Sequence, residues 1–449
     1  MESDIVIKLQ NNVSISVPDS LESYYTFVLL EQENPPDSFA NFIYDFFKSS
    51  MTVIDISPEY GLYSIPAAKF IGENGRLFLY DIDENSKNHI KKSICSNNIQ
   101  NCSWIDDNSL DIKDNIEKVL TESDYQIDFI KADDKFFNIF ENFLEKISAF
   151  IFLNTKSKIT KQQIDILENN EYICFYYIHS LNVLKPLNNY ENQLNKYNNL
   201  FFCKKDKALL LSKNNLLIMP DAWQLNAAKP SKDLWIDYCQ NFVYFKLFIK
   251  NWYNYLKEKG HKNFWPTHQG VLNLFAASKI INDKAAAYIY LKQSYELIDD
   301  LVSCHPTFSR LQTLTRICLE LGFNKQAFEI LNKLKNYFYL NEQICVEEPF
   351  LPVSQRYDNL DPCDKAGNWI LSSILEQLEL TRAKSSYFFS EESIQNFEIL
   401  KDIGYQSPEM ERRRQLVRIR SNLQKTTFPS PILFEELNDK TINTFYWNK

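Results

Sequence analysis

The amino-acid sequence predicts an α/β domain with a mostly parallel sheet over residues 1–220, followed by an all-α domain over 221–449. Three observations carry this expectation. Between residues 51 and 220, short apolar runs alternate with amphipathic stretches, the pattern of a parallel sheet covered by helices on both faces. Three of the chain's eight glycines, Gly61, Gly72 and Gly75, fall in one short stretch there. Where glycine is scarce, its positions mark backbone that other residues tolerate poorly. Beyond about residue 225, long segments repeat their apolar residues with the 3.6 period of a helix.

Residues 1–50 read as an extension to the α/β core. IVIKL and VSISV alternate apolar and polar positions, a strand signal. Pro35-Pro36-Asp37-Ser38 reads as a turn into a helix, FANFIYDFFKS. The core at 51–220 opens with strand TVIDIS and helix LYSIPAAKFIG, tightened early by Pro66. Strand RLFLYDID, helix ENSKNHIKKSICSNN and the weak strand NCSWID follow. Helix IKDNIEKVL, strand QIDFIKADD, helix FNIFENFLEKI and strand SAFIFLN complete five strands alternating with four helices. KQQIDILE is expected to be helical, and EYICFYYI and ALLLS to be strands. In the second half, DLWIDYCQNFVYFKLFIKNWYNYLKEKG reads as one long helical segment. RLQTLTRICLELG and NKQAFEILNKLKNYF, joined at Gly322, form either a tetratricopeptide-like hairpin or part of an ordinary bundle.

Composition narrows the function classes. A net charge of −9 argues against nucleic acid as a partner, since phosphate binding needs a basic face. The dense basic run ERRRQLVRIR at 411–420 reads as the solvated face of a helix. Nine cysteines without C-x-x-C spacing and five isolated histidines give no metal site and point to a reducing, cytoplasmic setting. No secretory leader is evident at the N-terminus, and no apolar run approaches the ~20 residues of a membrane span.

The residues with chemical potential lie at strand ends, where open α/β sheets place their ligands. Asp55 ends the first core strand and Gly61 closes the turn after it. Asp81 ends the next strand, at the spacing expected of a carboxylate that holds the ribose of a nucleoside-containing cofactor. Asp106, Asp107 and Asn108 follow the third strand, and Trp104 is an aromatic candidate for stacking on a base. Trp265-Pro266-Thr267-His268 lies between helical segments, where His268 reads as a satisfied structural residue.

The wider stretch TFVLLEQE, VIDISPEYGLYS, GRLFLYDIDENSKNHIKKSICSNNIQN and IDFIKADD resembles the FkbM family of methyltransferases across roughly residues 20–215. A weaker likeness extends through NVLKPLN and NLFFCKKDKALL to EPFLPVSQRYD and EMERRRQLV. The resemblance implies a Rossmann-like class I methyltransferase fold and transfer of a methyl group from S-adenosylmethionine to a hydroxyl, often of a sugar. The family's D-[IV]-G-A-N-x-G-x-Y-S turn is matched at Asp55, Gly61, Tyr63 and Ser64, and Tyr60 occupies its variable position. The I-K-x-D part of its I-K-[IL]-D-V-E-G segment is matched at Lys131 and Asp133. The likeness therefore implies cofactor contacts from Asp55, Ser57, Glu59, Tyr60, Gly61, Asp81 and Asp106. Asp133, a carboxylate at a strand end facing the cleft, is the candidate for acceptor positioning or proton removal, with the matching Lys131 beside it and Asp134 as a partial substitute for the family's glutamate.

The chain also departs from the family. Ser57, Pro58 and Glu59 stand where the turn has glycine, alanine and asparagine. Serine is strained if φ must be positive, proline removes an N–H donor, and Glu59 brings a negative charge towards the cofactor's carboxylate. Ile82 replaces a proline after the second strand, and Asp134-Lys135-Phe136 replaces V-E-G. Two functions follow. The first is an active O-methyltransferase acting on a sugar or glycan hydroxyl. The second is a catalytically impaired relative whose helical half binds a protein partner.

Overall fold

The computed structural model describes residues 4–35, 40–81, 83–105, 115–116, 118–119, 126–154, 159–187, 199–219, 229–257, 264–341, 344–346, 348–363, 365–386 and 391–420. The chain divides into two compact units, Met1–Ala222 and Trp223–Lys449. The turn expected at Pro35–Ser38 falls mainly outside the described residues, as do most of the IKDNIEKVL helix and the final segment from 421.

The first unit is built on an eight-stranded sheet. Its strands are β3 (Thr52–Ile56), β4 (Arg76–Tyr80), β5 (Cys102–Trp104), β6 (Phe129–Asp133), β7 (Phe150–Asn154), β8 (Tyr172–Ile178), β9 (Val183–Pro186) and β10 (Asn199–Lys204). They lie in the order β5-β4-β3-β6-β7-β10-β8-β9. The first five are mutually parallel, and the pairs β7–β10, β10–β8 and β8–β9 are antiparallel. This is a doubly wound, Rossmann-like sheet with an antiparallel end. The chain runs outward from β3 through β4 to β5, then returns to β6 on the other side of β3. The crevice between β3 and β6 is thus the topological switch point. Every residue of β3, β6 and β7 is buried, as expected of central strands covered on both faces.

A hairpin of β1 (Asp4–Lys8) and β2 (Ser14–Pro18) forms a separate two-stranded sheet. It docks on helix α4 (Glu84–Ser96), with Ser16 N–H donating to Ser93 Oγ at 2.8 Å and Asn97 Nδ2 donating to Ser14 O at 2.6 Å. Helix α1 (Tyr24–Gln32) is capped by Ser23, and helix α2 (Ala40–Phe46) sends Phe42 and Phe46 against Phe150. Stacked Phe129, Phe150, Phe152 and Phe201 continue that aromatic layer across β6, β7 and β10. Helix α3 (Ser64–Ile71) follows the turn after β3, with Pro66 in its first turn, where a missing N–H costs no helical bond.

Three sequence expectations are corrected here. ALLLS lies in the helix Lys205–Lys213, not a strand. Ala208 and Leu211 are buried while Leu209 and Leu210 are exposed, which is a helical face. FNIFENFLEKI is not one helix but a four-residue turn at Phe137–Phe140 followed by a 3₁₀ turn at Glu141–Phe143. The long segment from Leu234 breaks after Cys239 and resumes at Val243–Lys257, and Trp235 packs against Trp252 across the break.

The second unit is helical. Trp265–Ile280, Lys284–Cys304, Phe308–Leu321, Asn324–Leu340, Ala366–Ser386, Glu391–Ile403 and Pro408–Arg420 each pack on the next in sequence. Asp283 and Thr307 cap two of them through side-chain oxygens, and Gly322 ends Phe308–Leu321 in the left-handed conformation (φ +80°). The Trp265–His268 stretch, expected between helices, is instead the first turn of one, with Pro266 at its start and His268 fully buried. The basic run is not a solvated face: Arg412 and Arg413 are completely buried, and Arg414 lies against Glu411 at 2.8 Å.

Residues 348–358 form a strap across this unit. Arg310 holds Glu348 at 2.9 Å, Thr313 Oγ1 accepts from Leu351 N–H at 3.1 Å, and Tyr244 O–H donates to Phe350 O at 3.2 Å. Arg316 donates to Pro352 O at 3.1 Å and pairs with Asp358 at 3.0 Å. Tyr357 O–H reaches Glu376 at 2.8 Å. Burial pushes the Glu348 carboxyl up, but His268, Thr307 and Arg310 around it prevail and hold it down at about 2.

Candidate active site

The site is assembled at the carboxyl ends of β3, β4 and β6. Asp55 sits one residue before the end of β3, and its side chain is buried. Lys131, its register partner on β6, donates to Asp55 Oδ1 at 3.0 Å and is itself only 1% exposed. Ser64, the first residue of α3, donates to Asp55 Oδ2. Burial pushes the Asp55 carboxyl above its ordinary value, against the opposing pull of Lys131 and Ser64. The same Lys131 ammonium donates to Ser57 O at 2.7 Å. Lys131 therefore ties the two strands together across the switch point.

The turn keeps the backbone its sequence makes difficult. Ser57, Glu59 and Gly61 have φ of +76°, +48° and +81°, all in the left-handed region. At Gly61 a Cβ would come within 2.8 Å of Ile65 Cγ1, so glycine is required on two counts. Gly61 N–H closes the turn on Pro58 O at 2.9 Å. Pro58 is buried, while Glu59 and Tyr60 are half-buried. Tyr60 packs edge-on between Tyr25 and His89, with both ring centroids at 5.3 Å, which fastens the turn to α1 and α4.

Asp81 follows β4. Its Oδ1 accepts from Asp83 N–H at 3.0 Å and its Oδ2 from Ser86 Oγ at 2.8 Å. The start of α4 thus orients the carboxylate and leaves each oxygen a further lone pair. Asp133 ends β6 and is buried. Its Oδ2 accepts from Ser57 Oγ at 3.0 Å, while its Oδ1 has no hydrogen-bond partner among the described residues. Burial raises the Asp133 carboxyl, with Lys131 and the Ser57 hydroxyl acting against it. Asp134 begins a 3₁₀ turn, Asp134–Phe136. Its Oδ1 accepts from Lys135 N–H at 3.1 Å and its carbonyl from Gln163 Nε2 at 3.1 Å. Phe136 reaches across to Tyr80 at the end of β4, ring centroids 6.4 Å apart.

Of the expected site residues, Asp55, Ser57, Lys131 and Asp133 are therefore joined in one hydrogen-bonded set. Gly61 and Tyr60 shape the turn beside it, Asp81 stands at the neighbouring strand end, and Asp134 faces helix Lys161–Asn169 through its backbone. Asp106 lies outside the described residues, with Asp107, Asn108 and Ile82. Ser64, whose hydroxyl fixes Asp55, matches the turn pattern but carries no assigned role in the sequence reading, and Ser86, whose hydroxyl fixes Asp81, is not singled out there. Their signal is position, since each sits within the first turn of the helix after its strand. No group of residues suited to a metal ion occurs among the described residues, and no described helix is long and apolar enough to cross a membrane.

No family model and no curated protein matches the chain. Solved structures similar to it include a SAM-dependent methyltransferase from Aquifex aeolicus, with 16% identity, a TM-score of 0.26, and 40% of this chain and 97% of that one covered. They also include a SAM-dependent O-methyltransferase from Thermotoga maritima, with 13% identity, a TM-score of 0.27, and 44% and 77% covered. An rRNA methylase from Streptococcus thermophilus has 14% identity, a TM-score of 0.25, and 37% and 93% covered.

Proposed function

We propose that residues 1–220 form an S-adenosylmethionine-dependent O-methyltransferase domain of the FkbM type, acting on a sugar or glycan hydroxyl. The observation that carries this reading is Asp133. A buried carboxylate with one unpartnered oxygen stands at the end of a central parallel strand, beside the switch point. A buried polar atom left without a partner is costly, and a ligand hydroxyl would satisfy it. The cofactor fits the residues around it. The three left-handed positions keep the backbone of a ligand-binding turn, and Asp81 retains lone pairs for ribose hydroxyls.

When bound, the cofactor supplies a methyl group on positively charged sulfur and departs as the neutral thioether. The chain's own residues do the rest. Lys131 and Ser64 neutralise and orient Asp55, and so hold the turn's root in place. Gly61 lets the turn close against α3. Asp133 Oδ1 would accept the proton that the acceptor hydroxyl gives up on methylation. Burial raises its carboxyl above the ordinary value, which makes it a stronger base than a solvated aspartate.

Ligand at 100 times its dissociation constant adds about 2.7 kcal/mol of stability. Millimolar S-adenosylmethionine or S-adenosylhomocysteine is therefore expected to raise the melting temperature of the full chain, and an unmoved melt overturns the reading. A second reading, a methyltransferase-like fold without catalysis whose helical half at 221–449 binds a protein partner, is favoured by the half-buried Glu59, which brings a negative charge into the turn where the cofactor's carboxylate would lie. The nine cysteines, all free, accord with a cytoplasmic setting for either reading.

A further inference from the structure

Ser57 combines a strained backbone with complete use of its polar atoms. It occupies left-handed backbone that favours glycine. Its N–H donates to Tyr80 O on β4 at 2.8 Å, and its carbonyl accepts from Lys131 on β6 at 2.7 Å. A glycine would make both of those bonds without the strain. The one thing that only the serine supplies is the hydroxyl, and that hydroxyl goes to Asp133 Oδ2 at 3.0 Å. An observed strained residue at a strand end is a pointer to function, because the surrounding structure must hold it there.

We propose that Ser57 is the positioning residue for Asp133: its hydroxyl fixes one carboxylate oxygen and leaves the other for the acceptor. This rests on the methyltransferase reading of the same site, and it moves Ser57 from the cofactor's contacts to those of the reacting carboxylate. Without the hydroxyl, the Asp133 carboxyl is free to turn within the crevice. It also loses a donor that favours its ionised form, so its titration moves upward.

The test uses the full chain with 13Cγ-labelled aspartate, and the Asp133 signal is identified by its loss in Asp133→Asn. Both Ser57→Ala and Ser57→Gly lack the hydroxyl, and both are expected to shift the Asp133 midpoint upward by about one pH unit. The glycine variant suits the left-handed backbone and keeps the test usable should the alanine variant fail to fold. S-adenosylhomocysteine affinity, measured by calorimetry at pH 7, is expected to change less than about threefold, because Ser57 acts on Asp133. An Asp133 titration unmoved in Ser57→Gly overturns the proposal and leaves the methyltransferase reading intact. A moved titration, with no binding heat from the wild type or Ser57→Gly, overturns the methyltransferase reading and leaves Ser57 as the group that sets Asp133's ionisation.

Discussion

Lys131 shows how much one side chain carries here. Its ammonium is buried against Asp55 and Ser57 O, so removing it strands a buried carboxylate. Lys131→Met is expected to destabilise the chain by about 3–5 kcal/mol in guanidinium unfolding, and Asp55→Asn added to it is expected to recover part of that loss. Ser57 offers a finer comparison. Ser57→Ala keeps the left-handed strain and loses a bond to a carboxylate, whereas Ser57→Gly loses the same bond but sheds strain of about 1 kcal/mol. The glycine variant should therefore be the more stable of the two by about that amount in urea. The pH dependence follows from Asp55 and Asp133, whose folded-state values both lie above the ordinary 3.8. An acid raised by folding binds its proton more tightly when folded. Its contribution is complete below 3.8 and is lost as pH rises through the folded-state value. Asp133→Asn should flatten the decline of the urea midpoint with rising pH. At this scale the positions of Asp55 and Gly61 at a strand end and its turn were legible from the turn's residue types and spacing, and that of Asp133 at a strand end from the IDFIKADD run. The Ser57–Asp133 bond was not, because its partners lie 76 positions apart and meet only when β3 and β6 pair.

Among the elements, the central strands were legible because strands buried on both faces are close to continuously apolar, as FIFL of β7 is and as TVIDI of β3 is but for Thr52 and Asp55. ALLLS carries the same composition and is a helix, since a short apolar run does not by itself declare its period. The arginines at 412–414 misled in the other direction: charge predicts exposure only where no carboxylate awaits it, and Glu411 and Glu398 await Arg414. Glu348, which anchors the strap, shows the opposite pH sign to the strand-end aspartates. Its carboxyl is held at about 2, so its contribution is complete above the ordinary 4.5 and is lost as pH falls towards 2. Glu348→Gln should shrink the acid-side fall in stability over that interval, read from urea midpoints.

For the whole chain, the change of character near residue 225 marked the passage from α/β to helical structure, because the sheet's alternation and the 3.6 period are different patterns. The division into Met1–Ala222 and Trp223–Lys449 leads to a prediction: a chain ending at residue 222 should melt cooperatively and keep any response to S-adenosylhomocysteine that the full chain shows, as followed by circular dichroism. The strap was beyond reach of sequence reasoning, since nothing in EPFLPVSQRYD announces which helices will hold it. It lies along the helical unit much as a bound peptide lies along its receptor, gripped through its backbone by Thr313, Tyr244 and Arg316 and through its acids by Arg310 and Arg316. A tethered segment competes at an effective concentration in the millimolar range. Any outside peptide seeking the same contacts would have to displace an occupant that never diffuses away.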